Sequence, residues 1–145
     1  MIVPFYKQEF WYSCFAACVR MILEYYGIKK SERKLRPLLR VTPHATGRWF
    51  FVELGLESMG LHFHRGFEFS LDELRELIKN NTPVIVSLKF SEKHLNHTVV
   101  VVDITHEFVI VHDPERGENL KVETKQFLEA WSKRSNIAGY IIKKV

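Results

Sequence analysis

Apolar side chains occupy nearly every position between residues 13 and 27. Placed at about 100° per residue, Ser13, Ala16, Arg20, Glu24 and Gly27 fall on one narrow stripe. Phe15, Ala17, Cys18, Val19, Met21, Ile22, Leu23, Tyr25 and Tyr26 cover the rest of the circumference. A helix that is apolar nearly all round lies inside a protein, not on its surface. Ser13 is a residue type that caps helix N-termini, and Gly27 one that accepts the left-handed conformation just past a C-terminus. The pattern therefore predicts a buried helix over 13–26. Ahead of it, residues 2–6 are mostly apolar and include Pro4, whose missing N–H and fixed φ predict a short extended segment.

Further along, a second helix is predicted over 31–39, capped by Ser31 and ended by the strand-leaning residues before Pro43. A third is predicted over 48–59, closing at Gly60. Residues 61–69 alternate, with Leu61, Phe63, Arg65 and Phe67 on one side and His62 and His64 on the other, which predicts a strand. Ser70 and Glu73 have the spacing of a capping box and open a helix over 71–80 with the stripe Leu71, Leu74, Leu77 and Ile78. Residues 83–90 read as a strand, and 96–105 with 107–112 as an antiparallel hairpin turning near His106. A turn over 113–117 leads to a short strand over 120–123. Thr124 is expected to cap a helix carrying Phe127, Leu128 and Trp131, and 138–143 forms a last strand. Helices dominate the first half and strands the second, which makes the class α+β in one domain, 1–145.

Cys14 stands in the first turn of the buried helix, where the helix dipole and unpaired N–H groups favour a thiolate. His97 opens one strand of the hairpin and Asp113 follows the other, so pairing brings them to one edge of the sheet. A nucleophilic cysteine needs a base and a group to orient that base, and Cys14, His97 and Asp113 supply those types. Gln8, in the loop before the helix, is placed to donate its amide to an oxyanion beside the Cys14 N–H. Asp103 lies too far along its strand from His97 to orient it, and Asn96 points to the opposite face. Cys18, one turn beyond Cys14, reads as core, and the two do not pair because their Cβ vectors run parallel. A metal site from Cys14, Cys18, His94 and His97 is a minor reading, and His62 and His64 read as exposed. No metal and no cofactor are expected. Trp11 fits either a substrate groove or the core, and His44, His106 and His112 have no identifiable partner.

The chain has 145 residues, 46% hydrophobic and 26% charged, with a net charge of +4 and a pI near 9.1. This mild basicity does not point to nucleic acid. Lys29, Lys30, Arg33, Lys34, Arg36 and Arg40 surround the single acid Glu32, which reads as a solvated helix face in preference to a patch for an anionic partner. No apolar run approaches the roughly 20 residues of a membrane span, and the first residues lack the features of a signal peptide. A cytoplasmic protein is the expectation.

Taken together, these residues resemble the papain-like cysteine peptidases of the bacteriocin-processing type, peptidase family C39. The resemblance rests on Gln8 six residues before Cys14, on the run 13–18 leading into 21–27, on His97 with 98–101, and on Asp113 and Pro114 with Gly117. Phe127 and Trp131 look like the aromatic pair that follows in that family. The resemblance spans nearly the whole chain. It implies a papain-like fold, the helical N-terminal half packed on a C-terminal antiparallel sheet. It also implies Cys14 as nucleophile, His97 as base, Asp113 as its orienting acid and Gln8 as oxyanion donor. The expected substrate is a peptide or protein, with cleavage after Gly-Gly in a leader peptide, and Trp11 and Phe15 are expected to bind it. The chain departs from the family at Phe15, where glycine is usual, and at Ser13, where aspartate is frequent. No P-loop is present, so an ABC transporter partner would be a separate protein. The alternatives are a papain-like module that binds peptide without cutting it, and a transamidase or deamidase using the same groups.

Overall fold

The computed structural model describes residues 1–91 and 96–142. Its centre is helix α1 (Cys14–Tyr25), in which every residue from Cys14 to Val19 and from Met21 to Leu23 is buried. At its C-terminus Gly27 takes φ 83°, the Gly27 N–H reaches the Glu24 carbonyl and the Ile28 N–H the Leu23 carbonyl. That bond pair is a Schellman closure, and it needs the left-handed conformation that glycine adopts without strain. The N-terminus differs from expectation. Ser13 occupies the capping position, but its hydroxyl makes no bond to the helix. It donates to the Phe10 carbonyl (3.0 Å) or to Glu32 Oε1 (3.1 Å) and accepts from the Phe10 N–H (3.0 Å) instead.

Around α1 the order is α2 (Glu32–Leu38), α3 (Trp49–Glu57), β1 (His62–Gly66), α4 (Leu71–Lys79) and β2 (Val84–Leu88). Then come β3 (His97–Ile104), β4 (Phe108–Asp113), β5 (Gly117–Glu123), α5 (Thr124–Ser132) and β6 (Ala138–Ile142). The strands form one six-stranded sheet in the order β1-β6-β2-β3-β4-β5, antiparallel throughout. The class is α+β and papain-like, with the helical first half packed on the sheet. Two features extend the expected arrangement. The first half contributes an edge strand, β1, which pairs with the last strand. The sheet is also covered on both faces.

The period of two along each strand divides the core. On β2 and β3, Ile85, Val100 and Val102 face α1, α2 and α3, packing with Met21, Ile22, Leu35 and Leu56. Val84, Val86, Leu88, Val99 and Val101 face the other way, onto Leu74 of α4 and Phe127, Ala130 and Trp131 of α5. Strand β2 is consequently buried at all five positions. The Ser70–Glu73 capping box forms in both directions at the start of α4. Thr124, expected as a cap, is the first residue of α5, and its buried hydroxyl has no partner among the described residues. Among the described residues no helix is long and apolar enough to cross a membrane.

Gly139 of β6 sits where the sheet meets α3. A Cβ there would meet the Phe63 ring and lie 2.8 Å from Trp49 Cζ3. Both rings belong to the packed layer over α3 and β1, so neither has room to give. Gly139→Ala is expected to destabilise the protein by about 1–3 kcal/mol through overpacking, read as a lower urea midpoint with an unchanged slope.

Candidate active site

The packing of α1 across β3 sets the thiol. Cys14 is the first residue of α1, and Thr98, on the α1 side of β3, donates its hydroxyl to Cys14 Sγ at 3.0 Å. His97 lies near enough to Cys14 for each to shift the titration of the other. The other side of the imidazole is fixed, with His97 Nε2 2.6 Å from Asp113 Oδ1. With Nε2 taken by Asp113, Nδ1 is the ring nitrogen left for the thiol. The hairpin register explains the pairing. Val100 lies opposite His112 and Val101 opposite Val111. Carried one residue outward, this register sets Asp113 opposite Val99, and His97 is on the same face as Val99, within diagonal reach.

Asp113 does two things with one oxygen. Oδ1 accepts from His97 and also from the N–H groups of Glu115 (2.9 Å) and Arg116 (3.2 Å). The turn after β4 thus fixes the carboxylate that holds the imidazole. Orienting His97 and capping a turn are not alternatives here.

Burial pushes the Cys14 thiol up, and the hydrogen bonds from His97 and Thr98 with the imidazolium charge more than offset it. The thiol ends below its ordinary value of 9.0. Burial pulls His97 down, but its bonds to Asp113 and Cys14 and their charges outweigh that and hold it up to about 10. Burial raises the Asp113 carboxyl, and His97 with the two turn N–H groups brings it below its ordinary 3.8. Cys18 is the contrast. It is fully buried, its Sγ donates to the Thr98 carbonyl at 3.4 Å, and burial plus the charges of Cys14 and Asp113 push its thiol well above 9.0.

The loop before α1 is fastened at three successive N–H groups. Gln8 N–H donates to the Pro114 carbonyl (2.8 Å), Glu9 N–H to Glu32 Oε1 (3.0 Å) and Phe10 N–H to Ser13 Oγ (3.0 Å). The Gln8 amide donates one N–H to the Phe10 carbonyl at 2.8 Å, which leaves its second N–H for another acceptor. Gln8 is therefore joined directly to the turn that carries Asp113.

Of the two residues expected to bind substrate, Trp11 is 66% exposed and stands edge-on to Tyr12 at 5.5 Å. Phe15 is a correction. It is only 2% exposed and packs edge-on to Trp49 at 4.7 Å, because one step along α1 turns it from the site into the core. His112, left without a partner in the sequence, is buried, bonded through Nε2 to the Val3 carbonyl (2.7 Å) and through Nδ1 to the Asn119 N–H (3.1 Å). His62, His64 and Asn96 are exposed. His94, considered as a metal ligand, lies outside the described residues, and among those described no group of three His, Cys, Asp or Glu could hold a metal. A cavity of about 640 Å³ opens between the sheet and α5, lined by Leu88, Val99, Val111, Gln126 and Ala130, and reaches the site through Asp113. Sequence reasoning missed Thr98 and Glu32. The first could be found from its place directly after His97 on an alternating strand, the second from its isolation among cations.

The model of the Peptidase_C39 like family matches residues 2–139. The chain belongs to this family. Solved structures of the same fold include a C39-like protein from Bacillus anthracis, at 18% identity and TM-score 0.79, with 98% of this chain and 95% of that chain covered. The peptidase domain of Streptococcus ComA, a bi-functional ABC transporter involved in quorum sensing, aligns at 17% identity and TM-score 0.83 over 99% and 100%. A double glycine motif protease from an AMS/PCAT transporter, in complex with the leader peptide, aligns at 20% and 0.79 over 97% and 91%. No curated protein matches.

In this C39-like chain, iodoacetamide near neutral pH should label Cys14 and leave Cys18 untouched, read by mass spectrometry. The rate should rise with pH through a midpoint below 9.0, and in His97→Ala, where burial loses its main opposition, through a midpoint higher than in wild type. A second expectation concerns stability. Asp113 has a depressed folded value, so its contribution is complete above pH 3.8 and fades as pH falls through that lower value. His97 has a raised one, so its contribution is complete below pH 6.5 and fades as pH rises to about 10. The Tm difference between wild type and Asp113→Asn should therefore be largest from pH 3.8 to 6.5 and shrink on both sides.

Proposed function

We propose that this chain is a cysteine peptidase that cuts a peptide bond after Gly-Gly in a leader peptide. One observation carries the reading: Thr98 donates to Cys14 Sγ at 3.0 Å, His97 acts on the titration of that thiol, and Asp113 holds His97 at 2.6 Å. A thiol bonded in this way, with its titration lowered against the effect of burial, is a nucleophile.

In the proposed reaction the Cys14 thiolate attacks the carbonyl carbon and forms a C–S bond. The carbonyl oxygen takes the electron pair and is received by the free N–H of Gln8 Nε2 and by the Cys14 backbone N–H. As the first of its helix, that N–H has no acceptor within α1. His97 then gives its Nδ1 proton to the leaving amine, and the C–N bond breaks to leave a thioester. Water, its proton taken by His97, releases the acid and restores the thiol. Asp113 keeps Nδ1 turned to the sulfur throughout. Trp11, exposed beside the Gln8 loop, is the proposed contact for the peptide. Phe15 has no part in binding.

The substrate class is supported by family membership and by the structural relatives, one of which is held with its leader peptide. The proposed partner is an ABC transporter that exports the cut peptide. Both cysteines are free, as a thiol enzyme in a reducing cytoplasm requires.

The test offers peptides whose leader half ends in Gly-Gly beside matched peptides with Leu-Val there. Cleavage after Gly-Gly is expected, absent in Cys14→Ala and lowered about 10²–10³-fold in kcat by Gln8→Ala. Gly-Gly peptides that bind wild type and stay intact would overturn the peptidase reading in favour of a binding module.

A further inference from the structure

Glu32 is the first residue of α2, with side-chain exposure of 1%. A buried carboxylate is costly unless its oxygens are matched, and here both are. Oε1 accepts from the Glu9 N–H at 3.0 Å and from the Ser13 hydroxyl at 3.1 Å. Oε2 pairs with Arg36 one turn along α2. The guanidinium of Arg36 also bonds Glu9 Oε1 at 2.9 Å and lies 4.6 Å over the Phe10 ring. A single oxygen of Glu32 thus touches the residue after Gln8 and the residue before Cys14.

This placement has a consequence for the oxyanion site. Gln8 and Cys14 are on different pieces of backbone, a loop and a helix, and nothing covalent fixes their separation beyond the intervening chain. Glu9, Phe10 and Ser13 are drawn together by Glu32 Oε1 and Ser13 Oγ. We infer that Glu32 is a positioning residue: its buried carboxylate sets the distance between the Gln8 amide and Cys14, and so the geometry of the oxyanion site. This rests on the peptidase reading above. The carboxylate touches neither the thiol nor His97, so its removal should spare thiol reactivity and weaken only what depends on the oxyanion.

Two probes separate these. Iodoacetamide reports the thiolate and makes no oxyanion. Acetyl-glycyl-glycinal adds to Cys14, its C=O carbon bonding sulfur while the oxygen becomes the oxyanion or its protonated form. In Glu32→Ala the alkylation rate and its pH midpoint should match wild type, while aldehyde affinity and kcat fall about tenfold or more with KM little changed. Glu32→Gln retains an acceptor oxygen for Glu9 and Ser13 and should restore aldehyde affinity. Ser13→Ala, which removes the other clasp, should repeat the Glu32→Ala pattern. In Glu32→Ala, Arg36 retains Glu9 as a partner. Unchanged aldehyde affinity in Glu32→Ala overturns the inference. So does loss of the alkylation profile in both Glu32→Ala and Ser13→Ala, which would make the cluster a support of the whole fold. If Gln8→Ala itself leaves wild-type aldehyde affinity unchanged, the oxyanion assignment fails, whatever Glu32 does.

Discussion

A thiol inside a protein stays protonated unless its neighbours return what burial removes. That constraint governs this structure. Cys14 and Cys18 are one turn apart on the same helix, and their titrations move in opposite directions. The difference is the N-terminal end of α1, which meets the opening of β3. There Thr98 donates to one sulfur through its side chain and accepts from the other through its carbonyl. One strand residue therefore serves a thiol whose titration is lowered and one whose titration is raised. Any shift of α1 along β3 would disturb both, which gives a functional reason for the tight packing of Val19, Ile22 and Val100 beneath them.

The second half of the site follows from the sheet. His97 is on β3 and Asp113 on β4, and their contact is a diagonal cross-strand pair that the hairpin register imposes. The turn beyond Asp113 bonds its carboxylate, and the Pro114 carbonyl in that turn takes the Gln8 N–H. The loop ahead of α1 is in this way fastened to the sheet at Gln8 and to α2 at Glu9. The site is assembled from three elements distant in the chain, each held by backbone bonds and not by long side chains alone. Preorganisation of that kind is what electrostatic catalysis requires.

Much of this was legible in the sequence because it is periodic or local. The apolar run around α1, the alternation in β2 to β4 and the Ser70–Glu73 box each encode their structure within a few residues. The meeting of His97 with Asp113 followed from the hairpin alone. What was not legible depends on which face of the sheet a helix covers. Thr98 serves Cys14 across 84 residues, and only the position of α1 over β3 decides that its hydroxyl points there. His112 reaches Val3 across 109 residues. Ser13 was expected to cap its own helix because the N-cap preference is local, and a buried carboxylate from α2 overrides it. Glu32 itself was hidden among cations that read as a solvated face.

Phe15 shows how a departure from a family pattern can be absorbed. Placed directly after Cys14, a large ring would crowd the space over the thiol if it pointed outward. It points inward because the helix turns about 100° per residue, and it meets Trp49 of α3. The ring also needs space, and Gly47 provides it: at φ 143° a Cβ on that residue would lie 2.8 Å from Phe15 Cβ and Cδ2. Side-chain volume at position 15 is matched by its absence at position 47, in the loop that leads into α3. The residue after the cysteine is thus governed by the core, while Trp11 in the loop ahead of α1 stays exposed.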